Sequence, residues 1–170
     1  VEKLDQEKQS RILIGGLGLG FTLQSVLTHS GQNALVEIVE LIPEVVQWNK
    51  EHLTTLNGLA LEDPRVEIKT KDVAPLIRNA KPGAYDVILL DVDNGPLAMV
   101  AETNASLYSH FGVRHIKEAL IEEGRAIFWS ASPDPKFEKL LRKAGFKVQA
   151  VPAKTHPSAK RDAYPLYVAD

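Results

Sequence analysis

Cysteine is absent from the 170-residue chain, which excludes disulfides, thiolate chemistry and cysteine-based zinc sites. No apolar run reaches the roughly 18 residues of a membrane span. The opening "VEKLDQEKQS" is charged where a signal peptide would carry an apolar core. The expectation is therefore a cytoplasmic protein with no membrane association. Charge of either sign is scarce in excess: the formal net charge is −2, so no bulk attraction to nucleic acid is expected. The five histidines (29, 52, 110, 115 and 156) have no metal-ligand spacing, and no metal is expected. Internal repeats and low-complexity segments are also missing. Val1 is not an initiator residue, which points to a chain trimmed at its start.

What is present is ordinary for a globular chain, with 44% hydrophobic residues, and its length predicts one domain over 1–170. Strand and helix patterns alternate. "RILI" is a short apolar strand followed by "GGLGLG", and Phe21 to His29 reads as a helix. "ALVEIVE" is a strand that a helix follows from Pro43 to about Asn57, with proline at a permissive first-turn position. "RVEIKT" alternates at period two, and Val73 to Ala80 can form a short helix. "YDVILLD" is a strand buried on both faces by its continuous apolar run. Ser106 to Glu122 reads as a helix, "RAIFWS" as a strand, and Asp134 or Pro135 opens a helix that ends at Gly145. "FKVQAV" and "YPLYVA" look like a closing pair of strands around a polar, basic loop.

This alternation means a three-layer α/β sandwich, with a mostly parallel sheet of seven strands. A last strand without a preceding helix should run antiparallel beside its neighbour. An alternating sheet closed by such a hairpin is the Rossmann-like plan of class I S-adenosylmethionine-dependent methyltransferases.

In an open α/β sheet the ligand lies outside the carboxyl ends of the strands. Four features fall there. Gly16, Gly18 and Gly20 follow the first strand, where bare backbone can approach a ligand. A phosphate loop is excluded because no Lys-Ser/Thr follows, and the dinucleotide pattern fails at Phe21. A tight turn without a ligand is the bland alternative. Glu40 ends the second strand and can accept both ribose hydroxyls of a nucleoside, or can simply favour the dipole of the next helix. Glu37 competes with it but sits inside the strand, where a solvated edge is the expectation. Asp72 can accept an adenine amino group, with Val73 donating its N–H to the ring, or can cap the following helix; the two roles are compatible. In "LLDVDNGP", Asp91 and Asp93 point the same way from extended chain. They can orient and deprotonate a nucleophile, share a metal, or stabilise a capped turn.

Other candidates favour bland roles. His52 and His115 are expected on exposed helix faces, and Trp48 and Trp129 in the core or a cavity wall. The cluster of Lys154, His156, Lys160 and Arg161 can meet an acidic substrate, although a solvated loop explains it as well.

From about Arg11 to Val151 the chain resembles the spermidine synthases, the polyamine aminopropyltransferases. Their glycine loop reads GGGDGG before a helix ending in VLKH. "GLGLGFTLQSVLTH" falls on it without gaps, with Gly16, Gly18 and Gly20 matching. "VELIPEVV" resembles their VEID-x-x-V, which implies a ribose-binding role for Glu40 and places Leu41 at the cofactor. "DPRVEIKTKD" resembles DPRV-x-x-x-x-x-D and implies the adenine contact for Asp72 and Val73. "LLDVDNGP" resembles D-S-S-D-P-x-GP, so Asp91 would take the proton of the attacking amine, with Asp93 beside it. Asn94 and Tyr108, the latter in "LYSHFG", would then meet the acceptor.

Two departures stand out: Leu19 replaces the aspartate of GGGDGG, and Asn94 replaces the second aspartate of D-S-S-D. The family's N-terminal β-hairpin domain is not expected within residues 1–170. The resemblance implies a transferase that takes S-adenosylmethionine or its decarboxylated form as donor. It would move an aminopropyl or methyl group to a small amine-type acceptor such as a polyamine, and a homodimer is within its scope. A methyltransferase acting on another small molecule and a non-catalytic nucleoside-binding protein are the alternatives.

Overall fold

The computed structural model describes residues 9–57, 59–92, 102–153 and 164–170. Seven strands form one sheet: β1 (Arg11–Gly15), β2 (Leu35–Glu40), β3 (Val66–Thr70), β4 (Tyr85–Leu90), β5 (Leu120–Trp129), β6 (Val148–Ala153) and β7 (Tyr164–Ala169). Their order is β3-β2-β1-β4-β5-β7-β6. The first five run parallel, and β7 lies antiparallel between β5 and β6. The fold is therefore the three-layer α/β sandwich expected, with the antiparallel closing hairpin.

The helices are α1 (Phe21–His29), α2 (Pro43–Glu51), α3 (Thr54–Asn57), α4 (Val73–Arg78), α5 (Glu102–Leu107), α6 (His110–Ala119) and α7 (Pro135–Lys143). None of them is long and apolar enough to cross a membrane. Alternation along the strands splits the core in two. Ile12, Ile14 and Ile38 meet α1 and α2 through Leu23, Val26 and Val46. Leu13, Ile88 and Phe128 face the other way, onto Ile77, Val113, Ile116 and Phe137 of α4, α6 and α7.

Two expected helices end early. The one expected as far as Asn57 stops at Glu51, and α3 starts again at Thr54. The β-branched pair Thr54-Thr55 favours helix weakly. The helix expected to reach Glu122 stops at Ala119, and Leu120 is already paired with Tyr85 of β4. The next paired residues are Val87 and Arg125, so "IEEG" bulges out of β5. Good helix formers lose here to the ladder of a buried sheet.

Glu37 is not at a solvated edge. β2 is an inner strand, and Glu37 is only 9% exposed. Its carboxylate meets Lys69 Nζ at 3.1 Å and accepts a hydrogen bond from the Tyr85 hydroxyl at 3.3 Å. Trp48 is neither core nor wall, being 54% exposed on α2.

Burial and the neighbouring Glu37 carboxylate push the Tyr85 hydroxyl from the ordinary 10.0 up to about 12. The folded state keeps this proton where the unfolded chain releases it. The stability linked to Tyr85 is therefore complete below about pH 10 and is lost as pH rises toward about 12. One proton sets a slope of at most about 1.4 kcal/mol per pH unit. In urea unfolding across this range, Tyr85→Phe should lose stability less steeply than the parent chain.

Candidate active site

The sheet order reverses between β1 and β4, and the candidate site lies at that point. The N–H of Asp91 donates to Gly15 O, and the N–H of Gly16 donates to Val39 O, both at 2.9 Å. The end of β1 is thereby tied to the ends of both neighbours. Gly16 has φ +90°, and a Cβ there would lie 2.4 Å from the Asp91 carbonyl oxygen. Neither the dihedral nor the space admits a side chain.

Glu40 joins two loops. Its Oε2 accepts from Leu17 N–H at 2.8 Å and its Oε1 from Ile42 N–H at 2.9 Å. Each carboxylate oxygen keeps further acceptor capacity, so these bonds do not exhaust the group. Asp72 is the N-cap of α4, with Oδ1 accepting from Ala74 N–H at 2.8 Å. Val73 follows it, buried, with its side chain against Gly15.

A cavity of about 240 Å³ brings Gly16, Gly18, Glu40, Leu41, Asp72, Val73 and Asp91 together. Gly20 stands apart from it, buried against Asn49 and Asn57. Asp91 also lines a second, mostly apolar cavity of about 260 Å³ between α1 and the ends of β4 and β5, walled by Trp129 and Leu166. Across the rim, the Thr22 hydroxyl donates to Asp91 Oδ2 at 2.8 Å. One carboxylate thus separates a glycine-lined chamber that carries Glu40 and Asp72 from a more apolar one. That arrangement can hold a nucleoside on one side and orient a nucleophile beside it.

Tyr108 lies away from both cavities. It is buried in the core, its ring edge-on to Phe137 at 5.4 Å and tilted against Phe128 at 6.4 Å. Asp93 and Asn94 lie outside the described residues, as do Lys154, His156, Lys160 and Arg161. His52 is exposed, with Glu51 at 3.8 Å, and His115 is half-buried. Among the described residues, no three histidine or acidic side chains converge as a metal site requires. Thr22, Asn49 and Asn104 bear on the site without a signal in the sequence. Each becomes noticeable only when packing brings its helix beside a strand end or the glycine loop.

No family model matches the chain. A polyamine aminopropyltransferase of Prochlorococcus marinus (strain MIT 9215) is 30% identical over 128 residues, which cover 75% of this chain and 43% of that protein. Polyamine aminopropyltransferase 2 of Pseudomonas aeruginosa is 37% identical over 94 residues, 53% of this chain and 26% of that protein. The chain is spermidine synthase-like. It spans less than half the length of these two curated relatives.

Solved structures give the fold. The spermidine synthase of Thermotoga maritima aligns at a TM-score of 0.65 with 22% identity, covering 96% of this chain and 54% of that one. Human methyltransferase-like protein 13, solved in complex with SAH, aligns at 0.74 with 21% identity, covering 99% and 74%. Both types share the class I methyltransferase fold. The departure within this spermidine synthase-like chain is visible at the loop, where Leu19 is 51% exposed.

Gly16→Ala tests the strand-end geometry. The positive φ and the overlap with backbone should together cost about 2–3 kcal/mol in urea or thermal unfolding.

Proposed function

We propose that the chain binds S-adenosylmethionine or its decarboxylated form and transfers an alkyl group to an amine-type acceptor. Glu40 would accept the ribose hydroxyls, Asp72 and Val73 would meet the adenine, and Gly16 and Gly18 would line the sulfur-bearing arm. The observation that carries the reading is the convergence of Glu40, Asp72 and Asp91 on one cavity at the switch point of the sheet.

Transfer is an in-line displacement. The acceptor nitrogen attacks the carbon on the sulfonium, the C–S bond breaks as the N–C bond forms, and the sulfur leaves as a neutral thioether. The proton released by the nitrogen goes to the Asp91 carboxylate. The enzyme's contribution is to hold the two reactants in line and to remove that proton. Asp93 and Asn94 remain expectations from the family pattern, whereas Tyr108, packed in the core away from both cavities, takes no acceptor role. The acceptor would be a small molecule, a polyamine among the candidates, and the resemblance allows a homodimer working in the cytoplasm without a metal.

Methyl transfer is the second reading, and Leu19 favours it. In the resembling family an acid at this position reads the amine of the decarboxylated arm, and an apolar side chain cannot.

Calorimetric titration with S-adenosylmethionine, decarboxylated S-adenosylmethionine, 5′-methylthioadenosine and NAD tests the donor. At least one sulfur nucleoside should bind and NAD should not; the reverse outcome refutes the reading. Mass spectrometry of candidate amines incubated with the best donor then separates an added aminopropyl group from an added methyl group. Asp91→Asn should lower turnover by about 100-fold or more while nucleoside affinity stays nearly constant. Unchanged turnover would remove Asp91 from the chemistry.

A further inference from the structure

The glycine loop is held from behind by a buried pair of amides. Asn49 on α2 is 1% exposed and Asn57 on α3 is 2% exposed. Asn49 Nδ2 donates to Val45 O, one turn back on its own helix, and to Gly18 O, both at 2.8 Å. Its Oδ1 accepts from Asn57 Nδ2. Both hydrogens of the Asn49 amide are thus spent on carbonyls and its oxygen on a donor. The reversed amide would set an oxygen against two carbonyls, so a single orientation is selected. The same pair presses on Gly20, where a Cβ would lie 3.0 Å from Asn57 Cβ and 3.1 Å from Asn49 Oδ1.

We infer that Asn49 is a positioning residue for the donor loop, with Asn57 as its support. The physical route is short. A trans peptide is planar, and its N–H points opposite to its C=O. Anchoring the Gly18 carbonyl on α2 therefore turns the Leu19 N–H away from α2. Gly18 has φ +51°, open space where a Cβ would be, and a place in the wall of the candidate donor cavity. One buried side chain thus sets the orientation of the peptide that the donor's arm would meet. Without it, the bond among the described residues that closes the turn over the peptides between them is Gly20 N–H to Leu17 O at 2.9 Å. The ligand side of this inference rests on the proposed function; the hold on the loop does not.

Two measurements on the full chain separate these parts. The first is amide hydrogen exchange by NMR without ligand, comparing the parent with Asn49→Ala, Asn49→Asp and Asn57→Ala. Asn49→Asp keeps the acceptor for Asn57 and loses both donors. Exchange at Gly20, whose N–H closes the turn onto Leu17 O, should rise about tenfold in both Asn49 variants, while Ile12 to Ile14 of β1 keep the parent's rates. Asn57→Ala should give a smaller rise at the same residue. Equal acceleration in β1, or no acceleration in the loop, overturns the inference. So does parent-like exchange in Asn49→Asp.

The second measurement is calorimetric affinity for S-adenosylmethionine and for adenosine, which lacks the sulfur-bearing arm. Asn49→Ala should weaken S-adenosylmethionine about tenfold and adenosine much less. Equal losses for both, or none, overturn the positioning of the arm. If the parent chain binds neither nucleoside, the proposed function fails, and the exchange result alone decides whether Asn49 holds the loop.

Discussion

Everything at the candidate site depends on how β1 ends. Gly15 accepts from the Asp91 amide and Gly16 donates to Val39, so one short stretch of backbone is hydrogen-bonded to both neighbouring strands. This is possible only because Gly16 carries no side chain. Its Cα faces the Asp91 carbonyl at a distance that any Cβ would violate. The consequence is geometric. The loops after β1, β2 and β4 start from one locked corner, and their side chains have little choice of where to go.

From that corner the polar groups distribute by strand. Parallel strands end on the same edge, so acids at the ends of β2, β3 and β4 gather there without any helix reaching across. Glu40 is held by two backbone N–H groups, Asp72 by the start of α4 and Asp91 by the Thr22 hydroxyl. A carboxylate fixed by donors loses little freedom when it binds a ligand, which is what preorganisation requires. The amide pair Asn49–Asn57 extends the same logic to the loop itself. Within the pair the Asn49 amide is fully bonded and so takes a single orientation, whereas Asn57 spends its Nδ2 on Asn49 and leaves its buried Oδ1 without a partner among the described residues.

The motifs that resemble the spermidine synthases meet at this corner. Leu19 exposes an apolar side chain at the loop, and the chamber on the far side of Asp91 is walled by Trp129 and Leu166. The first puts an apolar side chain at the tip of the glycine loop. The second sets an apolar wall beside Asp91, which lines both cavities.

The strands, their mostly parallel direction and the closing hairpin were legible because buried strands need continuous apolar runs and because a strand without a crossover helix must turn back. Glu40, Asp72 and Asp91 were legible for a related reason: each is an acid at the boundary of an apolar run. The early ends of two helices were not. Local preference favours helix as far as Glu122, and only pairing with β4 converts "LIEEG" into a bulged strand. Glu37 read as a solvated acid until β3 and the Tyr85 hydroxyl closed over it. Tyr108, expected at the acceptor, is taken into the aromatic core. Thr22 and Asn49 carry no local signal, because their partners stand 69 and 31 residues away. The sequence by itself determined the layers and the sheet edge that gathers the acids, since periodicity and chain connectivity are local properties. Only the tertiary structure decided which side chains hold the loop and which face the cavity, since those depend on distances between segments remote along the chain.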